Sequence, residues 1–340
     1  MGNAPKKVAL LFICLNEPYW QFAKDVIEDC RKNFLPGHQV DYFLWSDMPE
    51  IGSKEYTSRV DSAPPQEHLN NILKQDFFDF CAAHLEMDFG QCFQTWSQNV
   101  ADRANEINKI TSREKLQESI DFLRSSKDIH IIPTEPVTWP YPTLMRYHLF
   151  LNEEERLKDY DYIFYMDLDM RVVDIVGDEI LGDELTMAEH PMYALRREYI
   201  PPYEPNRNSA AYVPRLGCVL TDELGKQYFK PLYAAGGFQG GTSQSFIKAM
   251  KVMKENIDKD FTNNYVAIWN DESHWNKYLY GYSGNLVVLS PSYVYPDSLI
   301  EEYYVKVWGR NYPPKIITLT KKFTTSAEAG VDLRKRLQTM

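Results

Sequence analysis

The sequence predicts an α/β fold built on a mainly parallel sheet, and three features near its start lead to this prediction. Residues 7–15 form an apolar run typical of a buried strand, and a helical stretch follows it to about residue 34. Pro36-Gly37 ends that stretch, and residues 39–45 resemble a second strand. A strand, a helix and a strand at this spacing form a βαβ unit, in which the two strands run parallel.

The length and charge of the chain limit the classes of protein to consider. At 340 residues it exceeds an average domain but fits one large α/β unit. We interpret residues 1–305 as one domain and residues 306–340 as a basic tail, with eight Lys or Arg against two Asp or Glu. The net charge of −11 argues against nucleic acid or an anionic membrane as a general partner.

The cysteines and the hydropathy pattern bear on where the protein works. Five cysteines at irregular spacing, with no CxxC pair, favour a reducing compartment over a structural zinc site. No segment is apolar enough to be a transmembrane helix. We therefore expect a soluble, cytoplasmic protein, and a bacterial or viral setting fits this expectation.

Residues 63–128 differ in composition from the rest of the domain and are predicted to form a helical insertion. Apolar residues recur there at helical spacing among many polar ones: Ile107, Ile110, Leu116, Ile120 and Leu123. A stripe of this kind usually packs against a neighbouring element, so we expect a structural layer rather than a lid.

The segment Asp161-Tyr-Ile-Phe-Tyr-Met-Asp-Leu-Asp169 carries the strongest chemical signal. It follows a strand at about residues 130–133 and a helix predicted from residue 141 to about residue 157. Its apolar run indicates a buried strand, and burying an uncompensated charge is expensive. Asp167 and Asp169 are therefore expected at the exit of the strand and on one side of it. A divalent cation that holds a phosphate would compensate them there.

Two motifs in the middle of the chain add candidate site residues. Glu189-His190-Pro191 follows the paired aspartates by about twenty residues, although a histidine in isolation is more often a packed residue than a ligand. The glycine-rich passage at residues 233–241 indicates that the backbone passes close to another group. The passage leads into a helix, for which Thr242 or Ser243 is the predicted N-cap.

A third motif, Trp269-Asn-Asp-Glu-Ser-His274, opens another predicted helix. Asp271 is predicted to cap this helix, and Glu272 to lie in its first turn, where the helix dipole favours the ionised carboxylate. In isolation the two acids would be ordinary helix-capping residues.

The DxD pair, the His-Pro pair, the GGFxGG passage and the WxDESHxNKYL segment, in this order and spacing, resemble the family 6 glycosyltransferases. The resemblance is strong over residues 141–297, weaker over residues 7–47, and offers no counterpart for the helical insertion. It implies a GT-A-type, Rossmann-like single domain with a mixed, mainly parallel central sheet. It also implies UDP-GalNAc or UDP-Gal as donor and an oligosaccharide or glycolipid as acceptor.

The resemblance assigns the donor side of the site residue by residue. Asp167 and Asp169 match the pair that holds Mn²⁺ on the diphosphate of the donor. Tyr19 falls where the family packs a tyrosine against the uridine, Arg146 where it has an arginine near the donor sugar, and Asp271 where an acid contacts that sugar. The basic tail is expected to close over the donor site, and its candidates for binding the diphosphate are Lys321, Lys322 and Arg334.

The same resemblance assigns the acceptor side and the reacting carboxylate. His190 and Trp269 match acceptor-binding positions, and Asp297 lies one residue later than the family's acid because Pro296 intervenes. Glu272 matches the carboxylate at the reacting carbon. A carboxylate beneath an oxocarbenium-like centre suits a retaining transfer, either by covalent attack or by stabilising a front-face substitution.

The donor sugar is predicted from three small residues. Ala235, Gly236 and Gly237 precede the phenylalanine of the glycine passage, where the family shapes the pocket around C2 of the sugar. Small residues leave room for an N-acetyl group, so we predict UDP-GalNAc over UDP-Gal. Because a pocket rejects a smaller group only weakly, some use of UDP-Gal is expected as well.

Together these assignments predict a retaining, Mn²⁺-dependent α-1,3-glycosyltransferase acting on a galactose-terminated glycan, plain or fucosylated. Two alternatives remain open. A phosphatase or phosphotransferase of the haloacid-dehalogenase type also has a strand ending in DxD, but near the start of its fold rather than in mid-chain. A catalytically weak protein that binds glycans or nucleotide sugars would not need this full set of acids: Asp167, Asp169, Asp271 and Glu272.

Overall fold

The computed structural model describes residues 4–48, 113–137, 141–195, 201–214, 219–221, 227–229, 233–297 and 313–319. Its strands are, in chain order, β1 (Lys7–Cys14), β2 (Gln39–Ser46), β3 (Ile129–Pro133), β4 (Tyr162–Met166), β5 (Met170–Val172), β6 (Leu185–Glu189), β7 (Val219–Thr221), β8 (Gln227–Phe229), β9 (Ala234–Thr242), β10 (Leu286–Leu289), β11 (Tyr295–Pro296) and β12 (Ile316–Thr318). Its helices are α1 (Glu17–Asn33), α2 (Arg113–Ser125), α3 (Tyr141–Leu144), α4 (Arg146–Leu151), α5 (Glu154–Leu157), α6 (Pro191–Leu195), α7 (Ser243–Thr262) and α8 (Asn270–Tyr280). Two 3-10 turns lie at Asp178–Ile180 and Pro291–Tyr293.

The central element of the described fold is a seven-stranded sheet in the order β10-β6-β9-β4-β1-β2-β3. β1 pairs in parallel with β2 and β4, β2 with β3, and β10 with β6. β9 runs antiparallel to both of its neighbours, β4 and β6. The predicted fold class, an α/β domain with a mixed and mainly parallel sheet, is confirmed.

β1 is apolar along its whole length because helices cover both faces of the sheet. Side chains alternate between the faces of a strand, so Val8 and Leu10 enter one core while Ala9 and Leu11 enter the other. The first core contains apolar residues of α1 and α2, and the second contains those of α4, α7 and α8. A continuous apolar run therefore identified a central strand.

Of the predicted insertion, the structure describes residues 113–128, which include helix α2. In α2, Ile120 and Leu123 are buried in the core that α1 also lines, and Leu116 packs at its edge. This helix is a structural layer on the sheet. Ile107 and Ile110 lie outside the described residues.

The helix predicted after the glycine passage is confirmed as α7. Thr242 is its N-cap, and its side chain accepts a hydrogen bond from the Ser245 N–H at 3.4 Å. The predicted apolar face is buried throughout: Phe246, Met250, Met253 and Ile257.

The helix predicted from residue 141 to about residue 157 is wrong in its continuity, since the structure has three short helices there. α3 ends before Met145, and α4 ends at Asn152. The N–H groups of Asn152 and Glu153 bond to carbonyls only three residues back, at 3.2 and 3.1 Å. This tighter 3-10 pattern interrupts the α-helical ladder and turns the chain before β4.

The glycine-rich passage is strand β9 rather than a loop, and its glycines allow close contact with both neighbouring strands. A Cβ atom on Gly240 would lie 2.4 Å from the Ile163 carbonyl oxygen, and one on Gly241 would lie 2.0 Å from that of Glu184. Gly241 also has a φ of +149°, which other residues rarely adopt. The expected close approach of the backbone is therefore partly an approach to the sheet itself.

A second sheet of three strands, in the order β11-β12-β5, adjoins the end of β4. Its middle strand β12 comes from the region interpreted as a basic tail, and Ile316 and Ile317 are fully buried. Residues 313–319 are thus part of the folded domain beside β5. The described helices include none that is both long and apolar enough to cross a membrane.

Candidate active site

Asp167 and Asp169 lie on the turn that joins β4 of the large sheet to β5 of the small sheet. The Asp167 N–H donates to the Gly237 carbonyl at 2.9 Å, which holds the turn against β9. Asp169 is buried, and its carbonyl accepts the Leu319 N–H at 2.9 Å. The expected position of the two acids at the exit of a strand is confirmed.

Arg146 joins this acidic turn, which carries Asp167 and Asp169, to the helix that carries the candidate catalytic acid. Its Nη2 lies 3.6 Å from Asp167 Oδ1, and its Nη1 lies 3.2 Å from Asp271 Oδ2. Nη1 also donates to the Gly236 carbonyl at 3.1 Å, and Nε donates to that of Thr143 at 3.1 Å. The Arg146 side chain is only 4% exposed. A buried guanidinium with these partners fixes the distance between the two acids.

Glu272 lies in the first turn of α8 and points to β9. The Gly236 N–H donates to its Oε2 at 2.7 Å. One turn further along, Asn276 accepts the Ala234 N–H at 2.8 Å and donates to the carbonyls of Ala234 and Glu272, both at 2.9 Å. Asn276 therefore docks α8 on β9 and sets the height of Glu272 above the strand.

The two glycines of β9 nearest the site are required by the site's own side chains. A Cβ atom on Gly236 would lie 3.2 Å from the Glu272 Cβ, and one on Gly237 would lie 2.8 Å from Asp167 Oδ2 and 2.5 Å from the Met170 methyl carbon. A larger residue at Gly237 would push against the acidic turn. These glycines let Asp167, Asp271 and Glu272 approach one strand from two elements.

The prediction that Asp271 caps α8 is wrong. Trp269 occupies the N-cap position, and Asp271 lies in the first turn with its carboxylate directed to Arg146. Asn270 begins the helix with a φ of +49°, which turns the chain so that Asp271 faces the sheet. The charged partner across the site outweighs the backbone N–H groups of the helix.

The expected ionised state of Glu272 also needs correction. Burial raises the pKa of Glu272 to about 7, while the Gly236 N–H and the neighbouring Tyr233 hydroxyl lower it. Burial likewise raises the pKa of Asp271 to about 7, against the attraction of Arg146. Desolvation therefore outweighs the helix dipole, because several carboxylates share one guanidinium in a low-dielectric site.

The raised pKa of Glu272 predicts a stability effect that depends on pH. Above its folded-state pKa the buried carboxylate is charged and costs stability; near pH 4.5 and below it is protonated in both states, so the cost disappears. We expect Glu272→Gln to raise the free energy of unfolding by about 1–3 kcal/mol at pH 8, since the residue keeps a partial opening to solvent. Urea unfolding at pH 8 and pH 4.5 measures this, and an equal gain at both pH values would contradict it.

The acceptor candidate His190 belongs to a cluster of aromatic rings beside Glu272. The ring centroids of His190 and Tyr193 are 5.0 Å apart, and those of Tyr193 and Tyr233 are 5.1 Å apart. Burial lowers the pKa of His190 to about 4, so the ring is neutral at pH 7. Its Nδ1 accepts the Met192 N–H at 3.3 Å, which leaves the proton on Nε2. Trp269 is 48% exposed at the start of α8.

Asp297 lies at the same end of the small sheet as the acidic turn. The strand register pairs Pro296 with Thr318, and Thr318 with Met170. The next position along each strand is then Asp297, Leu319 and Asp169. Since neighbouring strands are about 4.8 Å apart, the Asp297 backbone lies roughly 10 Å from that of Asp169.

Tyr19 lies in the first turn of α1, at the same edge of the sheet as the end of β4. Its N–H donates to the Asn16 carbonyl at 2.9 Å. Asn16, the N-cap of α1, has a φ of +74°, and the Asp47 carboxylate holds it by accepting its N–H at 3.0 Å and the Trp20 indole N–H at 2.9 Å. Asp47 thus orders the start of the helix in which Tyr19 is expected to meet a base.

The turn after β4 offers a donor set that fits a hard divalent cation. Asp167 and Asp169 supply carboxylate oxygens, which Mn²⁺ shares as preferred ligands with Mg²⁺ and Ca²⁺. The part of the chain that the structure describes contains no group of three or more His, Cys, Asp or Glu side chains arranged to hold a metal. Two carboxylates leave positions for phosphate oxygens, as ions of this kind use with nucleotides.

The remaining donor candidates, Lys321, Lys322 and Arg334, lie outside the described residues. Sequence reasoning also missed residues that the structure places in the site. Tyr165 stands two residues before Asp167 on β4, and Asn276 stands four residues after Glu272 on α8. At these spacings the strand repeat and the helix repeat place each side chain on the same face as the acid. For Asp47 and Gln239 the sequence offered no comparable signal.

The mixed sheet, the acidic turn after a central strand and the acid-bearing helix define the type of site found in nucleotide-sugar enzymes. Residues 122–308, more than half of the chain, match the family described as Glycosyltransferase family 6. The chain belongs to that family, and its GT-A-like fold agrees with this membership.

Three relatives illustrate the similarity. Histo-blood group ABO system transferase 1 of Rattus norvegicus is 36% identical over 149 residues, or 44% of this chain and 39% of that protein. O-antigen biosynthesis glycosyltransferase WbnI of Escherichia coli is 27% identical over 196 residues, or 57% and 74%. Globoside alpha-1,3-N-acetylgalactosaminyltransferase 1 of Gallus gallus is 31% identical over 281 residues, or 82% and 59%. The matched region thus spans about two fifths to three quarters of these relatives.

Proposed function

We propose that the protein is a retaining α-1,3-glycosyltransferase that moves GalNAc, and less readily Gal, from a UDP-sugar to a galactose-terminated glycan. One observation carries the proposal. Arg146 lies between Asp167 and Asp271, at 3.6 and 3.2 Å, and donates to the carbonyl of Gly236, whose N–H binds the Glu272 carboxylate. The acidic turn, the proposed sugar-contacting acid Asp271 and the proposed catalytic acid Glu272 are therefore parts of one charged cluster.

The names of the relatives support the bond and the sugar. The chicken relative is a globoside alpha-1,3-N-acetylgalactosaminyltransferase, and the rat relative is a histo-blood group ABO system transferase. From these names we take an α-1,3 linkage, N-acetylgalactosamine as the transferred sugar, and an oligosaccharide or glycolipid acceptor.

On the donor side, the charge of the departing diphosphate has to be neutralised. Mn²⁺ held by Asp167 and Asp169 would act as a Lewis acid on the phosphate oxygens. Arg146 holds Asp167 and Asp271 apart, and Asp271 would accept a hydrogen bond from a hydroxyl of the donor sugar. Lys321 and Lys322, which lie outside the described residues, would add positive charge at the diphosphate.

At the reacting carbon, the C1–O bond to UDP breaks and a bond from C1 to the acceptor oxygen forms. Glu272, oriented by the Gly236 N–H, would stabilise the positive charge that develops on C1. Covalent attack by Glu272 followed by displacement gives retention through two inversions, and a front-face substitution gives retention in one step. Both routes need the same ionised carboxylate beneath the sugar ring.

On the acceptor side, the rings around His190 suit the apolar face of a sugar. His190 is neutral and presents a polar Nε2–H, while Tyr193 and Trp269 add ring surface beside Glu272. Asp297 would supply a carboxylate for an acceptor hydroxyl from the small sheet.

The choice of donor sugar depends mainly on Ala235, because Gly236 and Gly237 are already required by Glu272 and Asp167. We expect Ala235→Met, or the smaller Ala235→Val, to narrow the space for the N-acetyl group. The ratio of kcat/KM for UDP-GalNAc to that for UDP-Gal should fall by about 10- to 100-fold. This ratio is insensitive to loss of folded enzyme, and an unchanged ratio would place sugar selection elsewhere.

A donor screen tests the proposal as a whole. UDP release is measured with UDP-GalNAc, UDP-Gal, UDP-Glc and UDP-GlcNAc, against plain and fucosylated galactosides, with Mn²⁺ and with EDTA. We expect the fastest release with UDP-GalNAc and a galactoside, and loss of that activity in EDTA. Undiminished turnover in EDTA would refute the role of Asp167 and Asp169, and release from none of the donors would favour a binding protein.

A further inference from the structure

We infer that Tyr165 is a positioning residue that holds the Asp167 carboxylate ready for a metal and keeps Arg146 from taking the metal's place. This inference rests on the proposed function, since it concerns the same acidic turn. Tyr165 lies on β4, two residues before Asp167, so both side chains project from the same side of the strand.

The Tyr165 side chain contacts both charged groups of the turn. Its hydroxyl donates to Asp167 Oδ1, and its ring lies under the Arg146 guanidinium at 4.2 Å from the ring centroid. Phe150 also packs against the Tyr165 ring, with the two ring centroids 5.5 Å apart. Tyr165 is 2% exposed, so its orientation is fixed by packing.

These contacts distinguish the two oxygens of Asp167. Both the Tyr165 hydroxyl and Arg146 Nη2 approach Oδ1, whereas Oδ2 lies beside Gly237, where the strand has no side chain. Oδ2 is therefore the oxygen presented to a cation. A hydrogen bond to the other oxygen of a ligating carboxylate sets its orientation, and removing such a partner typically costs 10- to 100-fold in metal affinity.

The ring has a second effect, on Arg146. The guanidinium lies closer to Asp271, at 3.2 Å, than to Asp167, at 3.6 Å. The Tyr165 ring packs against it and supports it in this position. Without the ring, Arg146 could close on Asp167 as a two-point ion pair and compete with the metal for both oxygens. The ring thus holds the guanidinium plane in the observed arrangement.

The neighbouring strand β9 also helps to hold Arg146 in this position. Gln239 is the cross-strand partner of Tyr165 on β9. Its side-chain amide donates to the Gly236 carbonyl at 3.0 Å, the same oxygen that accepts Arg146 Nη1. The Tyr147 hydroxyl in turn donates to Gln239 Oε1 at 2.9 Å. Arg146 is therefore held between two buried side chains of adjacent strands.

Tyr165→Phe removes the hydroxyl and keeps the ring, and Tyr160→Phe is its matched control. The Tyr160 hydroxyl donates to Asp41 at 2.8 Å, so it makes the same type of bond. Tyr160 lies just before β4, whose first residue is roughly 16 Å along the strand from Asp167. Mn²⁺ binding to the full chain in the presence of UDP is titrated by calorimetry and by the electron paramagnetic resonance signal of free Mn²⁺. We expect the Kd for Mn²⁺ to rise by about 10- to 100-fold in Tyr165→Phe and to stay within about twofold of wild type in Tyr160→Phe.

The Mn²⁺ dependence of turnover supplies a second measurement. A loss of positioning raises the Mn²⁺ concentration for half-maximal rate in Tyr165→Phe, while kcat at saturating Mn²⁺ recovers. A kcat that stays low at every Mn²⁺ concentration, with an unchanged Kd, would overturn the inference. Wild-type protein that binds no Mn²⁺ with UDP would instead refute the proposed metal site, so the two failures are distinguishable.

Discussion

Glu272→Gln is expected to reduce transfer by at least about 10³-fold while leaving UDP binding largely intact. The amide keeps the shape of the side chain and can still accept the Gly236 N–H, but it cannot carry the negative charge that faces C1. The contacts proposed for UDP lie with the acidic turn, Tyr19 and the basic tail, not with Glu272. Steady-state rates and calorimetric titration of UDP with Mn²⁺ measure the two effects separately.

Glu255→Gln is a suitable control for this prediction, because Glu255 is an exposed residue of α7. It should leave both turnover and UDP affinity unchanged. Turnover of Glu272→Gln near the wild-type rate would remove Glu272 from the chemistry. A parallel loss of UDP affinity would mean that Glu272 acts on donor binding instead.

Arg146→Met is expected to lower the free energy of unfolding by about 3–5 kcal/mol, the largest stability effect among the substitutions considered. The substitution leaves Asp271, which is 6% exposed, without the guanidinium that compensates it, and Asp167 loses a partner as well. It also removes the donor to the Gly236 carbonyl. Urea unfolding at pH 8, where the acids are mostly charged, gives the value directly.

Two further variants make the Arg146 prediction specific. Arg146→Met combined with Asp271→Asn should recover part of the lost stability, since the uncompensated buried charge is gone. Lys251→Met breaks a half-exposed pair with Glu154 at 2.8 Å and should cost less than about 1 kcal/mol. Equal losses for Arg146→Met and Lys251→Met would show that Arg146 has no special role in the cluster.

The sequence predicted those parts of the fold in which local pattern and burial agree. The apolar run of β1 identified a strand covered on both faces, and the face of α7 followed from its helical spacing. The run before Asp167 ended where the polar pair began, which placed the pair at a strand exit. These features depend on neighbours in the sequence and on one general rule, that apolar residues are buried.

The arrangement of charges could not be predicted in the same way, because it depends on residues far apart in the chain. Arg146 meets Asp271 and Gly236 only because α4, α8 and β9 pack together. The cap assigned to Asp271 was wrong, and the pKa of Glu272 is higher than the helix dipole led us to expect, for the same reason. Rules for isolated helices do not take into account a guanidinium from another element, or the desolvation of several carboxylates in one buried site.

The stereochemistry of the first product tests the central claim most directly. With UDP-GalNAc, a galactoside acceptor and Mn²⁺, proton NMR recorded during the reaction gives the anomeric configuration and the linkage position of the new bond. The account predicts an α-linked N-acetylgalactosamine on O3 of the galactose, formed without a β-linked precursor. A β-linked product would contradict retention, and with it the placement of Glu272 at the reacting carbon.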